Sequence, residues 1–305
     1  MTASTDPVMR ALTDSDAHLF HTLPDPGLVG RTLVGRSWST REQGGEYRPE
    51  WAWVALRDGK VVARAAWWGA PDDETPQALD WFDFADGEAA TATRLLGAAP
   101  LHAEYDLLVP PGWRDVPAVR AAAQARIDAA EAAGMKVLVE RFRYEWSAGL
   151  GLPDRPGRLE FRPEPDDGIV LDVLRRIGRG SLDAHTRQAV REHGEEAAAQ
   201  EEFDLLARLP SPRSWWRLAH TPDGRLVGVQ VPALNTAGAC VGFIGVLPEH
   251  RGNGFAYDLL AECTHQLAAE GATHIAAATD QHNFPMAAAF TRAGYPVVQE
   301  RINLV

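Results

Sequence analysis

Apolar and polar positions follow two rhythms along this chain. Trp51-Ala-Trp-Val-Ala-Leu-Arg-Asp-Gly-Lys-Val-Val-Ala63 is apolar-rich and broken once, at Asp58-Gly59. Both turn residues accept the positive φ of a two-residue hairpin, so the stretch predicts two antiparallel strands. Trp215-Trp-Arg-Leu-Ala-His-Thr-Pro-Asp-Gly-Arg-Leu-Val227 repeats it around Asp223-Gly224. Ala239 to Val246 is an unbroken apolar run and predicts a buried strand. Past the loop Leu247 to Asn253, residues Ala256, Leu259, Leu260, Cys263 and Leu267 recur at helical spacing, and Gly271 supplies the stop. His274 to Thr279 predicts a further strand, Pro285 to Arg292 a short helix ended by Gly294, and Val297 to Leu304 a last strand. Upstream of the second hairpin, Leu171 to about Arg208 predicts a helical region.

The chain also resembles itself. Laid 137 residues apart, Val109, Pro111 and Arg114 fall on Val246, Pro248 and Arg251, while Gly134 falls on Gly271 and Gly157 on Gly294. The two hairpins lie 165 residues apart, so this register leaves about 28 extra residues in the first half, with Pro71 to Glu74 and Leu79 to Phe84 among them. Two tandem copies of one fold are expected, covering residues 1–157 and 158–305 and meeting near Gly157 to Arg162.

Composition narrows the partners. Among 305 residues, 30 Lys and Arg stand against 42 Asp and Glu, a net charge of -12 that disfavours binding to nucleic-acid backbones and anionic membranes. Cys240 and Cys263 form no disulfide framework or metal-ligand cluster, and no metal is expected. The first twenty residues carry Asp6, Asp14 and Asp16 without an apolar core segment, and no apolar run approaches membrane-span length. A soluble cytoplasmic protein is expected.

Candidate chemistry lies where a strand ending at Val246 runs through Pro248-Glu-His-Arg-Gly-Asn-Gly-Phe-Ala256 into a helix. First-turn amides of a helix lack intrahelical partners, its dipole favours anions, and Gly252 and Gly254 let the backbone approach a phosphate. Arg251 adds a positive charge. The segment is neither a Walker A loop nor a dinucleotide fingerprint. Its Arg-Gly-x-Gly-x-Ala pattern resembles the pyrophosphate-binding motif of the GNAT acyltransferase superfamily, Gln/Arg-x-x-Gly-x-Gly/Ala. The resemblance spans about Phe161 to Val305 and extends to Asn283, Met286, Phe290 and the Gly294-Tyr295 pair.

That resemblance implies an α/β (α+β) fold of two tandem GNAT-like domains, each a mixed, mostly antiparallel twisted sheet flanked by helices. It implies that the amides from Arg251 through Gly252, Asn253, Gly254 and Phe255 to Ala256 hold the pyrophosphate of acetyl-CoA. The strand edge Ile244, Gly245 and Val246 would pair with the pantetheine arm, Asn283 and Met286 would meet it from the other side, and Phe290 would lie near the thioester. In the 137-residue register Asp115 and Pro117 replace Gly252 and Gly254, and Trp146 replaces Asn283, so the first copy is expected to be degenerate and unable to bind CoA. Many relatives carry Tyr where this chain has Phe290, which removes the usual proton donor. Asp280 and His282, at the end of the next strand, are the nearest ionisable groups and the candidate catalytic pair, with helix capping as their alternative reading.

The function implied is acyl transfer from acetyl-CoA or another acyl-CoA to an amine of a small molecule. Its alternatives are a catalytically silent CoA-binding protein and an acyltransferase drawing on a carrier-protein or aminoacyl-tRNA donor. Eight of the ten tryptophans lie in the first copy, where burial is the default. The stretch Ala65 to Leu101, with Trp67, Trp68, Trp81 and Phe82 among Asp72, Asp73, Glu74, Asp80 and Asp83, is the expected wall of a cation-holding acceptor pocket.

Overall fold

The computed structural model describes residues 6–305, and the first five positions lie outside the described residues. The chain forms two compact units, one made of residues up to Glu140 together with Gln299–Val305, the other of Arg141–Val298.

In the first unit, β1 (Val8–Ala11) is followed by short 3-10 turns, then β2 (Ala52–Arg57), β3 (Lys60–Trp68), β4 (Ala78–Phe84), α1 (Ala89–Ala98), β5 (Glu104–Val109) and α2 (Pro117–Ala132). The β2–β3 hairpin turns at Asp58 and Gly59, both at positive φ (50° and 76°), as their sequence demands. The next strand, β6 (Val137–Ser147), leaves this unit at residue 141. In the second unit come β7 (Glu160–Pro163), α3 (Asp167–Gly178), α4 (Ala184–His193), α5 (Glu195–Ala207), β8 (Arg217–His220), β9 (Leu226–Asn235), β10 (Gly238–Val246), α6 (Phe255–Ala269), β11 (His274–Asp280) and α7 (Phe284–Arg292); β12 (Val297–Leu304) follows.

The two sheets share one topology. Strand order is β1-β2-β3-β4-β5-β12 in the first and β7-β8-β9-β10-β11-β6 in the second. In each, the fourth and fifth strands are parallel and every other pair is antiparallel. The sixth strands are exchanged. Residues 141–147 of β6 pair with β11, from Arg141 opposite Asp280 to Ser147 opposite His274. The chain's C-terminal end pairs with β5, from Glu300 opposite Val109 to Leu304 opposite Tyr105. The units therefore divide at 140/141 and 298/299, not at 157/158, because the final strand of each copy is hydrogen-bonded into the other copy's sheet.

This topology corrects the internal register. A right-handed β-α-β crossover links parallel strands, and those crossovers are β4-α1-β5 and β10-α6-β11, so β5 corresponds to β11 and not to β10. The hairpin offset of 165 holds approximately throughout, and no 28-residue insertion exists. Gly134 corresponds to Gly294, both ending a helix at positive φ (102° and 78°). Val137-Leu-Val-Glu-Arg-Phe142 then lies over Val297-Val-Gln-Glu-Arg-Ile302, 160 residues on. The counterpart of the 247–254 loop is Ala85-Asp86-Gly87-Glu88, not the segment around Asp115 and Pro117, and Trp146 does not stand in for Asn283.

Residues 65–101 are the end of β3, all of β4 and α1, and they build the first unit's core. Trp67, Phe82, Leu95, Leu107, Ile302 and Leu304 cluster on one face, and Phe20, Trp38, Trp81 and Tyr47 on the other. Asp83 is clasped between Arg64 (3.0 Å) and Arg126 (2.8 Å). Asp80 pairs with Arg31 and accepts from Tyr47 Oη at 2.8 Å, and Trp81 Nε1 donates to that same oxygen at 3.0 Å. Trp67, Trp81, Phe82, Asp80 and Asp83 are thus engaged in the first unit's own core, while Asp72 and Glu74 stay exposed. Among the described residues no helix is long and apolar enough to cross a membrane.

In the second unit, α6 and α7 cover one sheet face over Tyr144, Trp146, Leu260, Cys263, Ile275 and Phe290. Helices α3 and α5 cover the other over Val170, Leu174, Phe203, Trp216 and Val229. β10 and β11 pair only at Cys240 and Ala276 and part beyond that point. β10 also bulges between Val241 and Phe243, where Gly242 leaves no room for a side chain: a Cβ would sit 2.9 Å from Val231 O.

Candidate functional site

The divergence of β10 from β11 opens two cavities in the second unit. The first, about 430 Å³, runs from Ile244, Gly245 and Val246 past Arg251, Gly252, Gly254, Phe255 and Ala256 to Asn283, Met286 and Arg292. Gly252 and Gly254 adopt left-handed φ of 81° and 73°, and Gly254 is the N-cap of α6. Among the described residues the amides of 252–256 donate to no protein acceptor, so five donors stand at the positive end of a fifteen-residue helix. Gly245 is required by packing: a Cβ there would lie 2.6 Å from Ile177 Cδ1 on α3.

Side chains around the loop divide its labour. Arg251 turns away from the loop amides and donates to Ile177 O (2.7 Å), Gly180 O (2.9 Å) and Arg179 O (3.1 Å), fastening the loop to the end of α3. Burial lowers its pKa from the usual arginine range. Arg158, which sequence reading missed, donates to Asn253 O (3.0 Å) and Gly254 O (3.3 Å) and pairs with buried Asp258. Asn253 closes the loop on itself through His250 O (3.0 Å) and does not line the cleft. Arg292, also missed, is an exposed guanidinium 3.8 Å over the Tyr257 ring, with no carboxylate partner among the described residues. Nothing in a single sequence separates either arginine from a surface charge.

The second cavity, about 550 Å³, lies between α3–α5 and the parted strands. It shares Ile177, Ser181, Ile244, Asn283 and Met286 with the first, so the two adjoin along those residues. Asn283 caps α7, accepting weakly from the Met286 amide (3.4 Å). Phe290 is buried and stacked on Tyr144, ring centroids 4.3 Å apart, and borders this cavity. Burial pushes the Tyr144 hydroxyl up to about 12, so it stays protonated near neutrality.

Four carboxylates line the second cavity, Asp183, Glu195, Glu201 and Glu202, against two arginines, Arg141 and Arg175. Asp183 caps α4 through the Thr186 amide (2.9 Å) and faces Arg141 (3.4 Å). Burial works against its charge, yet Arg141 and the Thr186 amide hold the carboxyl below the usual aspartate range. Glu202 is pushed the other way, up to about 7, by burial and by the Asp183 charge. Asp280 and His282 line neither cavity. The Asp280 carboxylate is 1% exposed, accepts from the Ala184 amide at 2.6 Å and pairs with Arg141 at 3.2 Å, anchoring α4 to the sheet. His282 is exposed, with its ring edge-on to Phe284 at 6.0 Å.

Residues 182–295, which take in the loop, α6, β11 and α7, match the model of the acetyltransferase (GNAT) family. No curated protein matches the chain. A GCN5-related N-acetyltransferase from Sphaerobacter thermophilus has a similar fold at 14% identity, with a TM-score of 0.59 over 98% of this chain and 94% of that one. A GCN5-related glucosamine N-acetyltransferase region of a fungal multi-domain GH3 β-N-acetylglucosaminidase gives a TM-score of 0.56 at 14% identity, over 100% of this chain and 38% of that one. A tandem GNAT protein from the clavulanic acid biosynthesis pathway gives 0.47 at 17% identity, over 83% and 81%. Residues 182–295 thus carry a domain of the GNAT acetyltransferase family, within a chain that builds one topology twice.

Proposed function

We propose that the chain transfers an acyl group, acetyl first among the candidates, from acyl-CoA to the amine of a small cationic molecule by direct attack in a ternary complex. The observation that carries this reading is the meeting of two unlike cavities at Ile244, Asn283 and Met286. One ends in helix N-terminal amides and a guanidinium and suits a pyrophosphate. The other is lined by carboxylates and suits an ammonium ion.

On this reading the amides of 252–256 hold the pyrophosphate and Arg292 adds charge beside it. The edge of β10 at Ile244 to Val246, left unpaired where β11 departs, hydrogen-bonds the pantetheine arm as an added strand. The thioester then lies at the strand divergence and the acceptor nitrogen reaches it from the acidic cavity. Holding both reactants in attack geometry is itself a large part of such catalysis.

The first unit is read as the non-binding copy. Its crossover passes from β4 to α1 through four residues, two of them the carboxylates Asp86 and Glu88, in place of the eight-residue glycine loop. One CoA per chain is expected by titration calorimetry, and thiol release on mixing acetyl-CoA with a panel of small amines is the assay of activity. Two equivalent CoA sites, or no acylation of any amine, would sink the reading.

A further inference from the structure

We propose that Glu202, on α5, accepts the proton of the acceptor ammonium before it attacks the thioester. The proposal rests on the acyl-transfer reading and assigns it a base that neither the sequence motif nor Asp280 and His282 supplies.

The cavity carboxylates are not equivalent. Asp183 is engaged by Arg141 and the Thr186 amide, Glu195 by Arg179 (2.7 Å) and Arg175 (3.7 Å), and Glu201 by His193 (2.6 Å). Glu202 alone among the four has no hydrogen bond or ion pair among the described residues, and it lines the cavity that adjoins the donor cleft. A half-buried carboxylate without a partner has its lone pairs free for a ligand. Asp183 and His185 face it from α4, Arg141 from β6 and Arg175 from α3, with Glu195 and Glu201 on its own helix. Burial and the neighbouring Asp183 charge give it a proton affinity matched to neutral pH, where a base is half ionised and still basic enough to act.

The step balances. The ammonium gives one proton to the Glu202 carboxylate, leaving a neutral amine. The amine lone pair forms the new carbon–nitrogen bond at the thioester carbonyl, the carbon–sulfur bond breaks, and the sulfur leaves with that electron pair. The thiolate takes up the second proton, lost from nitrogen as the amide forms, and Glu202 returns its proton to water.

The test uses the full chain, acetyl-CoA and the best amine from the thiol-release panel, with kcat/KM followed from pH 5.5 to 9.5. Wild type is expected to rise with pH and level off with a midpoint near 7. Glu202→Gln is expected to lose about a hundredfold at pH 7, the usual contribution of a positioned base, to lose that midpoint, and to recover toward pH 9.5 as free amine accumulates. One CoA per chain in the variant shows that its fold and donor site survive. Glu202→Asp, which keeps the carboxylate with a shorter reach, is expected to retain a midpoint at a rate between the two. If both variants keep the wild-type rate at pH 7 and the wild-type midpoint, Glu202 is not the base although the acyl-transfer reading stands. A wild-type chain that acylates no amine overturns that reading, and this proposal with it.

Discussion

At the scale of single residues, this site is built from groups whose ordinary roles have been reassigned. Arg251, a motif residue, spends its donors on the carbonyls that end α3. Arg158 and Arg292, outside any motif, bear on the loop itself and on the cleft. Placing a side chain at the α6 N-cap is expected to block phosphate approach. Gly254→Asp adds both bulk and a negative charge at a left-handed position, and CoA affinity measured calorimetrically should fall by about 2 kcal/mol or more. Arg292→Ala should cost about 1 kcal/mol, since an exposed cation contributes little more. Glu202 carries a stability prediction independent of catalysis. Its carboxyl binds a proton more tightly folded than unfolded, with a pKa near 7 against an ordinary 4.5. Stability from this group is therefore full below about pH 4.5 and is lost as pH rises through about 7. Glu202→Gln should stabilise the chain at pH 8 by about 2 kcal/mol and make no difference near pH 4, measured by thermal unfolding at both.

At the scale of elements, the parted strands and the exchanged strands matter most. A bulge at Gly242 and a parallel pair limited to Cys240 and Ala276 create the gap into which both cavities open. The elements 78–84 and 89–98, which a repeat register had made an insertion, are a strand and helix of the first core. Their buried charges belong to that core, because each has a guanidinium within ion-pair distance. Removing one partner leaves a buried charge uncompensated, so Asp83→Ala should destabilise the first unit by about 3 to 5 kcal/mol in denaturant unfolding. The closing strand of the first sheet is equally exposed to test. Deleting Gln299–Val305 removes Ile302 and Leu304 from the core and uncovers the edge of β5, so the shortened chain should aggregate.

At the scale of the whole molecule, each copy borrows its last strand from the other's stretch of chain. A fragment cut at the apparent boundary of the repeats, 158–305, lacks residues 141–147, which pair with β11 along their length and bring Tyr144 and Trp146 to its core. Such a fragment should be insoluble, whereas 141–298, which coincides with a compact unit, should give a cooperative unfolding transition.

Much of this was legible from local sequence. The Asp58-Gly59 and Asp223-Gly224 turns, the apolar run into Val246, the helical stripe from Ala256 to Leu267 and the glycine-rich loop between them are written in residues near one another, because hairpins, helix faces and helix caps are made by short-range geometry. That a fold was repeated was also visible, since both copies keep the same turns. What the sequence alone did not determine was which strand lies beside which. A strand presents the same period to any partner, so Val137 to Ser147 and Val297 to Leu304 carry no mark of the sheet each will enter. The 137-residue register failed for this reason: it matched glycines and prolines that recur at many loops, whereas the parallel pairing of β4 with β5 and of β10 with β11 admits only one correspondence. Side-chain allegiance was decided in the same way. Asp280 and His282 stood near the motif in sequence, yet tertiary packing turned one onto the α4 amide and left the other in solvent. Asp183 and Glu202, 19 positions apart on two helices, met in the acidic cavity only because α4 and α5 fold across the same sheet face.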